Sequence, residues 1–355
     1  MTMTDRFRSI VRVCGAAELV SIGVLVLAVF IPVLSSSPLV VSLATQIMIA
    51  IPAAFSVYVM LRMDLMTFAV PAFMAMGAYS AAVAGLRGGI TDTILLTALS
   101  FVTPTLVALP LGALVLRLRG VYFVLVTFLL SQIMQLLLFE TPKLTGGSNG
   151  LAGMPATTLF GMALEDNQSV LFLAVGLALL AALITTALTR YYRQHFAAIK
   201  ENQVLAESLG LVVWRYKMIG FTVAAGLAGI AGFSLLNMLL TAHPSSFSAM
   251  SSVDYIAYTI VGGATSMLGP IIGSTLLVTA TNLFSNRGEY SPGFFGLLIL
   301  IVVLAMKDGI VGTAIRLVQR YRERRRGLIF TTKQTPLQRT PLAEQEATAD
   351  QKLER

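Results

Sequence analysis

Long apolar runs recur along this chain, and they constrain it more than any other feature. Segments of roughly 17 to 25 apolar residues are the length needed to cross about 30 Å of hydrocarbon. With 56% hydrophobic and 12% charged residues in 355, and a mean hydropathy of +0.81, an ordinary soluble domain is excluded. Candidate spans fall at 13–34, 39–61, 66–86, 93–116, 120–140, 169–189 and 218–241, followed by an interrupted region, 253–285, and a last span, 292–306. As one helix the region 253–285 would be about 50 Å long, too long for one span. Gly262-Gly263 and Gly269-Pro270 interrupt it, which predicts a short descending segment and a longer ascending one. The fold class is therefore an all-α polytopic integral membrane protein of about ten membrane segments, some short or broken.

Charge tests this topology. Of the 25 Lys and Arg residues, only Arg87, Lys143 and Arg287 fall outside when both termini are cytoplasmic. That is the bias expected of cytoplasmic loops. Counting 253–285 as one span would place the Arg322 to Arg326 cluster outside. The positive residues sit at span ends rather than in one patch, so the net charge of +8 is no nucleic-acid signature. Residues 1–315 are expected to form the membrane domain. Residues 316–355 read as a basic, then polar cytoplasmic tail, expected to be disordered beyond about Gly327. The first segment follows Arg6, Arg8 and Arg12. It is long for a signal peptide and ends in no A-x-A-like site, so it reads as a retained span. One cysteine, Cys14, allows no internal disulfide.

A polar stretch flanked by long apolar segments reads RYYRQHFAAIKENQVLAESLGLVVWRYK, Arg190 to Lys217. Phe196, Ile199, Gln203, Ala206 and Gly210 fall on one helical stripe, with Leu205 and Leu209 beside it. Gly210 stands where a helix C-cap favours glycine. The pattern predicts a short helix under the membrane, fit either for a partner groove or as a solvated connector. Ala198-Ile199-Lys200-Glu201 followed by Ala206-Glu207-Ser208-Leu209-Gly210 resembles the coupling loop of ABC importer permeases, most of all the branched-chain (hydrophobic) amino acid family, where A-I-[RK]-E-x-x-x-A-E-A-L-G is usual. Ser208 replaces the usual Ala, and His195-Phe196 stands where Gly-Arg is common. The resemblance implies that Ala198, Lys200, Glu201, Ala206, Glu207, Leu209 and Gly210 form an ATPase-docking helix.

Three further stretches carry the resemblance. Thr145-Gly146-Gly147-Ser148-Asn149-Gly150-Leu151 with Gly153-Met154-Pro155, in the external loop 141–168, is similar to the family's T-G-G-x-N-G-L and G-x-P. Leu116 to Phe123 (LRLRGVYF) resembles the entry to the span before it. The glycines and Asn149 suit turns with positive φ. No Lys-Ser/Thr follows them, and no G-x-x-x-x-G-K-[ST] occurs elsewhere, so the chain carries no ATPase of its own. Val261 to Pro270 is similar to the family's G-G-x-G-S-x-x-G-P. Unwound backbone at membrane depth lines cavities or is buried in protein, so Gly262, Gly263, Gly269 and Pro270 read either as a pathway or gate or as a small-residue packing site.

The resemblance is weakest at Val57 to Tyr79. Phe73 and Gly77-Ala78-Tyr79 remain, Thr67 stands for Ser and Pro71 for Ala, while Val57, Leu61, Asp64 and Ala69 replace the family's Asn and glycines. Thr67, Phe73 and Tyr79 are the candidate pathway residues here. Asp64 reads as an interfacial ion pair with Arg62. Glu18, Glu140 and Asp254 read as lying near span ends, where water reaches them; an ionisable group deeper in a span would be a coupling candidate. Gly226, Gly229 and Gly232 read as a helix-packing stripe. His195 and His243 share no helix face and have no metal-ligand spacing, and no Ser-His-acid set is recoverable.

The resemblance implies a permease subunit rather than an enzyme, with no cofactor or metal bound by this chain and ATP used by partner subunits. The implied partners are a second homologous permease, two cytoplasmic ATPases, an external solute-binding protein and the lipid membrane, with no nucleic acid. Hydrophobic amino acids are the first substrate class, with small amides or carboxylates open. The implied location is a bacterial inner membrane, with both termini cytoplasmic. An ion-coupled secondary transporter is the alternative. It would not need a docking loop and would want a mid-span carboxylate, which the sequence does not reveal.

Overall fold

A computed structural model describes residues 18, 20–27, 37–159, 161–164 and 166–285, and then 293, 296, 300, 309–314, 316 and 317. Most of the first and last expected spans, and the tail beyond residue 317, lie outside the described residues. Met1–Thr313 is one compact unit and Ala314–Arg355 another.

Ten helices are labelled here. They are α1 (Pro38–Leu61), α2 (Val70–Gly88), α3 (Thr93–Val115), α4 (Val121–Glu140), α5 (Asn167–Tyr191), α6 (Arg193–Glu201), α7 (Gln203–Ser208), α8 (Val213–Leu239), α9 (Ser251–Gly262) and α10 (Leu268–Ser285). Among the described residues, α1, α3, α4, α5 and α8 are long and apolar enough to cross a membrane. Helix α2, at 19 residues, is about 28 Å long. The ends follow local chemistry. Pro38 opens α1 at a position that has no intrahelical N–H partner to lose. The Asp92 carboxylate accepts from the Ile94 and Leu95 amides at 2.8 and 3.3 Å, capping α3. The expected break in 253–285 falls at 263–267, between α9 and α10.

Helix α8 is the axis. Of its apolar window 83% is buried, against 22% for α3 and for α4, and it packs on α1, α2, α3 and α5. The glycine stripe makes this possible. A Cβ on Gly229 would lie 2.0 Å from the Ser100 carbonyl oxygen, and one on Gly232 would lie 1.9 Å from that of Met74. Gly226 meets the Phe101 ring in the same way. Gly229 and Gly232 admit only glycine and bring α3 and α2 into backbone contact with α8.

The two ends of the bundle differ. At the end we call the far end, short pairings tie the loops together: Leu151 faces Ala242 and Ala152 faces Thr241, while Thr158 and Leu159 pair with Ala163 and Met162. The Thr157 hydroxyl donates to Asn237 Oδ1 at 2.9 Å. The Arg87 guanidinium holds the Lys143 and Leu144 carbonyls. Gly146, Gly147, Gly150 and Gly153 all have positive φ, as the turn chemistry predicts, whereas Asn149 sits in a 3-10 turn. The opposite end, which carries α6 and α7, we call the loop end.

Candidate functional site

At the loop end the single expected helix is two. Asn202, with φ −160° and ψ 106°, breaks it, and its side chain accepts from the Leu205 amide at 3.1 Å to cap α7. An asparagine that can cap is a poor interior residue, so the break is local chemistry. The stripe survives it in part. Phe196, Ile199 and Ala206 are buried, Gln203 is half-buried, and Gly210 is exposed. Gly210 has φ +87°; its amide donates to the Glu207 carbonyl and that of Leu211 to the Ala206 carbonyl, both at 3.0 Å. This is a Schellman closure, which glycine permits at low cost.

Ala198, Lys200, Glu201, Glu207, Leu209 and Gly210 are exposed, while Ala206 faces inward. Val204, Leu205, Leu209 and Trp214 add large exposed apolar side chains, Leu209 at 79%. Glu207 has partners within the chain. It lies 3.6 Å from Arg119 of the LRLRG stretch and accepts from Gln203 at 2.8 Å; Gln203 in turn accepts from the buried Lys217 ammonium at 2.7 Å. The loop is thereby tied to the first turns of α8. Desolvation first, and the nearby Arg62 charge second, lower the Lys200 pKa. His195 stacks on Tyr216 with ring centroids 4.3 Å apart, so it belongs to the packing of this end.

The candidate pathway residues fall in three places. Thr67 and Phe73 line a small pocket with Ser56, Met60, Val70, Phe221, Ala224 and Ala225. Tyr79 lies apart from it, buried, its ring 6.1 Å from that of Phe247. Its hydroxyl has no hydrogen-bond partner among the described residues. Gly262, Gly263, Gly269 and Pro270 are buried at the turn between α9 and α10. A Cβ on Gly262 would lie 1.8 Å from the Gly269 carbonyl oxygen, and one on Gly269 would lie 1.9 Å from that of Gly263. Arg62 is not paired with Asp64: it donates to the Thr265 carbonyl at 3.4 Å and stands over the Tyr58 ring. Glu18 pairs with Arg190 at the loop end.

Sequence reasoning missed one segment. The expected span 66–86 starts instead at Val70, because Leu65–Ala69 is not helical. Both backbone groups of Phe68 are held by hydroxyls from other helices. Thr127 accepts from its amide at 3.1 Å, and Ser131 and Ser252 each donate to its carbonyl at 2.7 Å. The Thr67 hydroxyl accepts from the Ala69 amide at 3.1 Å. The signal lay in single hydroxyls inside apolar runs, which pattern alone cannot assign to a partner. Among the described residues, no group of three or more His, Cys, Asp or Glu side chains could hold a metal ion.

A bundle of apolar spans, one glycine-lined central helix and a capped pair of short helices between spans define a polytopic α-helical transport subunit. The chain belongs to the family of branched-chain amino acid transport system permease components, whose sequence pattern matches residues 39–306. It is an ABC importer permease subunit. Over 319 residues it is 28% identical to the high-affinity branched-chain amino acid transport system permease protein LivM of Salmonella typhimurium and to that of Escherichia coli; each alignment covers 83% of this chain and 75% of the relative. A shorter stretch of 129 residues is 29% identical to the ribose import permease protein RbsC of Haemophilus influenzae, covering 34% of this chain and 39% of that protein. No solved structure matches significantly.

Proposed function

We propose that this chain and a second, homologous permease form the membrane pathway of an importer for branched-chain or other hydrophobic amino acids, or a related small amide or carboxylate. An external solute-binding protein delivers the solute at the far end, and two cytoplasmic ATPases act at the loop end. The chain binds no cofactor and catalyses no reaction; ATP is used by the partner subunits. The assignment places it in a bacterial inner membrane, with the loop end and both termini cytoplasmic.

The observation that carries this reading is the loop end. Buried Phe196, Ile199 and Ala206 seat α6 and α7 on the bundle, while Val204, Leu205 and Leu209 stay exposed. An apolar edge on a short capped helix suits a groove on a partner. The Lys217–Gln203–Glu207–Arg119 chain would pass displacement of that helix to α8 and to the start of α4. A push at α7 would then move the axis of the bundle, and the permease pair would switch between inward- and outward-facing states. The solute assignment rests on the relatives, and the divergence at Val57 to Tyr79 keeps the substrate class broad.

The test is Gly210→Val in the importer complex. No atom lies within 4 Å of an added Cβ, so the expected cost is backbone strain at φ +87°, roughly 1 kcal/mol or more. The variant should reach the membrane, recover less ATPase on co-purification and lose leucine uptake. Unchanged recovery and unchanged uptake would reduce the loop to a connector.

A further inference from the structure

Asp254 reads from the sequence as a span-end carboxylate, and the structure places it elsewhere. Ser252, two residues before it, shares the Phe68 carbonyl with Ser131. Ser131 is near the middle of α4, about 15 Å from Val121 and about 14 Å from Glu140. Helix α9 therefore begins about halfway through the membrane. It runs toward the loop end: Thr259 donates to the Ala54 carbonyl at 3.1 Å, and Thr265, just beyond it, meets Arg62. At 12 residues, about 18 Å, α9 is half a span. Asp254, in its first turn, lies close to mid-depth.

At that depth an ionised carboxylate needs a cation. Among the described residues it has no hydrogen-bond or ion-pair partner. Among the described residues, Arg62, Arg119, Lys200 and Lys217 lie at the loop end, and Arg87 and Lys143 at the far end. The N–H groups of the first turn of α9 favour a negative charge but do not neutralise it. Asp254 is only half-buried, and Val253 and Met250 beside it are exposed, so this surface opens away from the bundle. Two aromatic rings accompany it: Tyr258, one turn on and on the same helix face, and Tyr255, whose ring centroid is 6.0 Å from that of Tyr258. A carboxylate with two tyrosines within one helical turn of it is suited to a small ammonium group. Discontinuous helices that begin at mid-depth are where transporters bind solute.

We propose that Asp254, with Tyr255 and Tyr258, is the intramembrane site that receives the ammonium group of the transported amino acid. The proposal deepens the importer reading and rests on it. ATP hydrolysis by the partner subunits drives the importer, so the carboxylate is not required as a proton carrier. Its role is to replace water around the ammonium group halfway across.

The test uses the complete importer in proteoliposomes, with its binding protein saturated with leucine, and compares wild type, Asp254→Asn and Asp254→Glu. Co-purification of the partner permease and ATPases reports assembly. The expected result is intact assembly in both variants, leucine uptake reduced about tenfold or more in Asn, and substantial recovery in Glu, which keeps the charge. Asn uptake within about twofold of wild type, or equal loss in Asn and Glu, would overturn the proposal. Loss of the partner permease from the Asn complex would also overturn it, by showing that Asp254 pairs across the subunit interface. A wild-type complex that imports no amino acid would overturn the substrate reading itself, and the proposal with it.

Discussion

Two of the described segments that unwind inside the bundle, 263–267 and 65–69, are held by opposite means. At 263–267 the break is flanked by glycines in the helices on either side. Gly262, Gly269 and Gly273 bring α9 and α10 so close that backbone meets backbone, with a Cβ on Gly273 falling 1.8 Å from the Tyr258 carbonyl oxygen. At 65–69 the break has no glycine, and hydroxyls supplied by α4 and α9 hold Phe68. In a membrane every backbone polar group needs a partner. Side-chain bonds hold the second segment, and the small pocket lined by Thr67 and Phe73 adjoins it. A break held by hydroxyls from two helices can also be released when those helices move.

Two substitutions sharpen this contrast. Gly262→Leu should have the larger effect. The added Cβ alone would lie 1.8 Å from backbone that cannot step aside, and the expected cost is about 3 kcal/mol or more. The measurement is the amount of folded protein recovered from the membrane, which should collapse. Ser131→Ala with Ser252→Ala leaves the Phe68 carbonyl without a donor, at a cost of about 1–3 kcal/mol, and either change alone should cost less because the other hydroxyl remains. Thermal unfolding of the purified protein should show a drop for the pair larger than either single change. A pair no worse than one change would mean that water or another group takes over the carbonyl, and the contrast between the segments would fail.

The same contrast shows what the sequence could reveal. Span positions were readable because hydrocarbon thickness imposes length: the runs 39–61, 93–116, 120–140 and 169–189 end within a few residues of α1, α3, α4 and α5. Glycine effects were readable as well, since Gly226, Gly229 and Gly232 recur at helical spacing and Gly210 stands at a cap. Contacts made at long range were not. Leu65, Met66, Phe68 and Ala69 are as apolar as any helical stretch, and nothing local announces that Ser131 and Ser252 will hold the Phe68 carbonyl outside a helix. Asp254 looked like a span-end residue because hydropathy cannot distinguish a helix that begins at the membrane surface from one that begins halfway down. Glu207, which the resemblance puts in a docking helix, meets Arg119 from a loop far away in sequence. Asn202 was within reach: its capping chemistry is local, but the stripe through Phe196 and Ala206 suggested one continuous helix.

The central claim is that the loop end receives the force of ATP hydrolysis. It is tested most directly by placing a photo-cross-linking amino acid at Leu209, 79% exposed on the closing turn of α7, and at Met162, 75% exposed at the far end. Illumination of the assembled complex should join Leu209 to an ATP-binding subunit and leave Met162 without such a product. A complex in which Leu209 gives no product with the ATP-binding subunit while Met162 does would contradict the account.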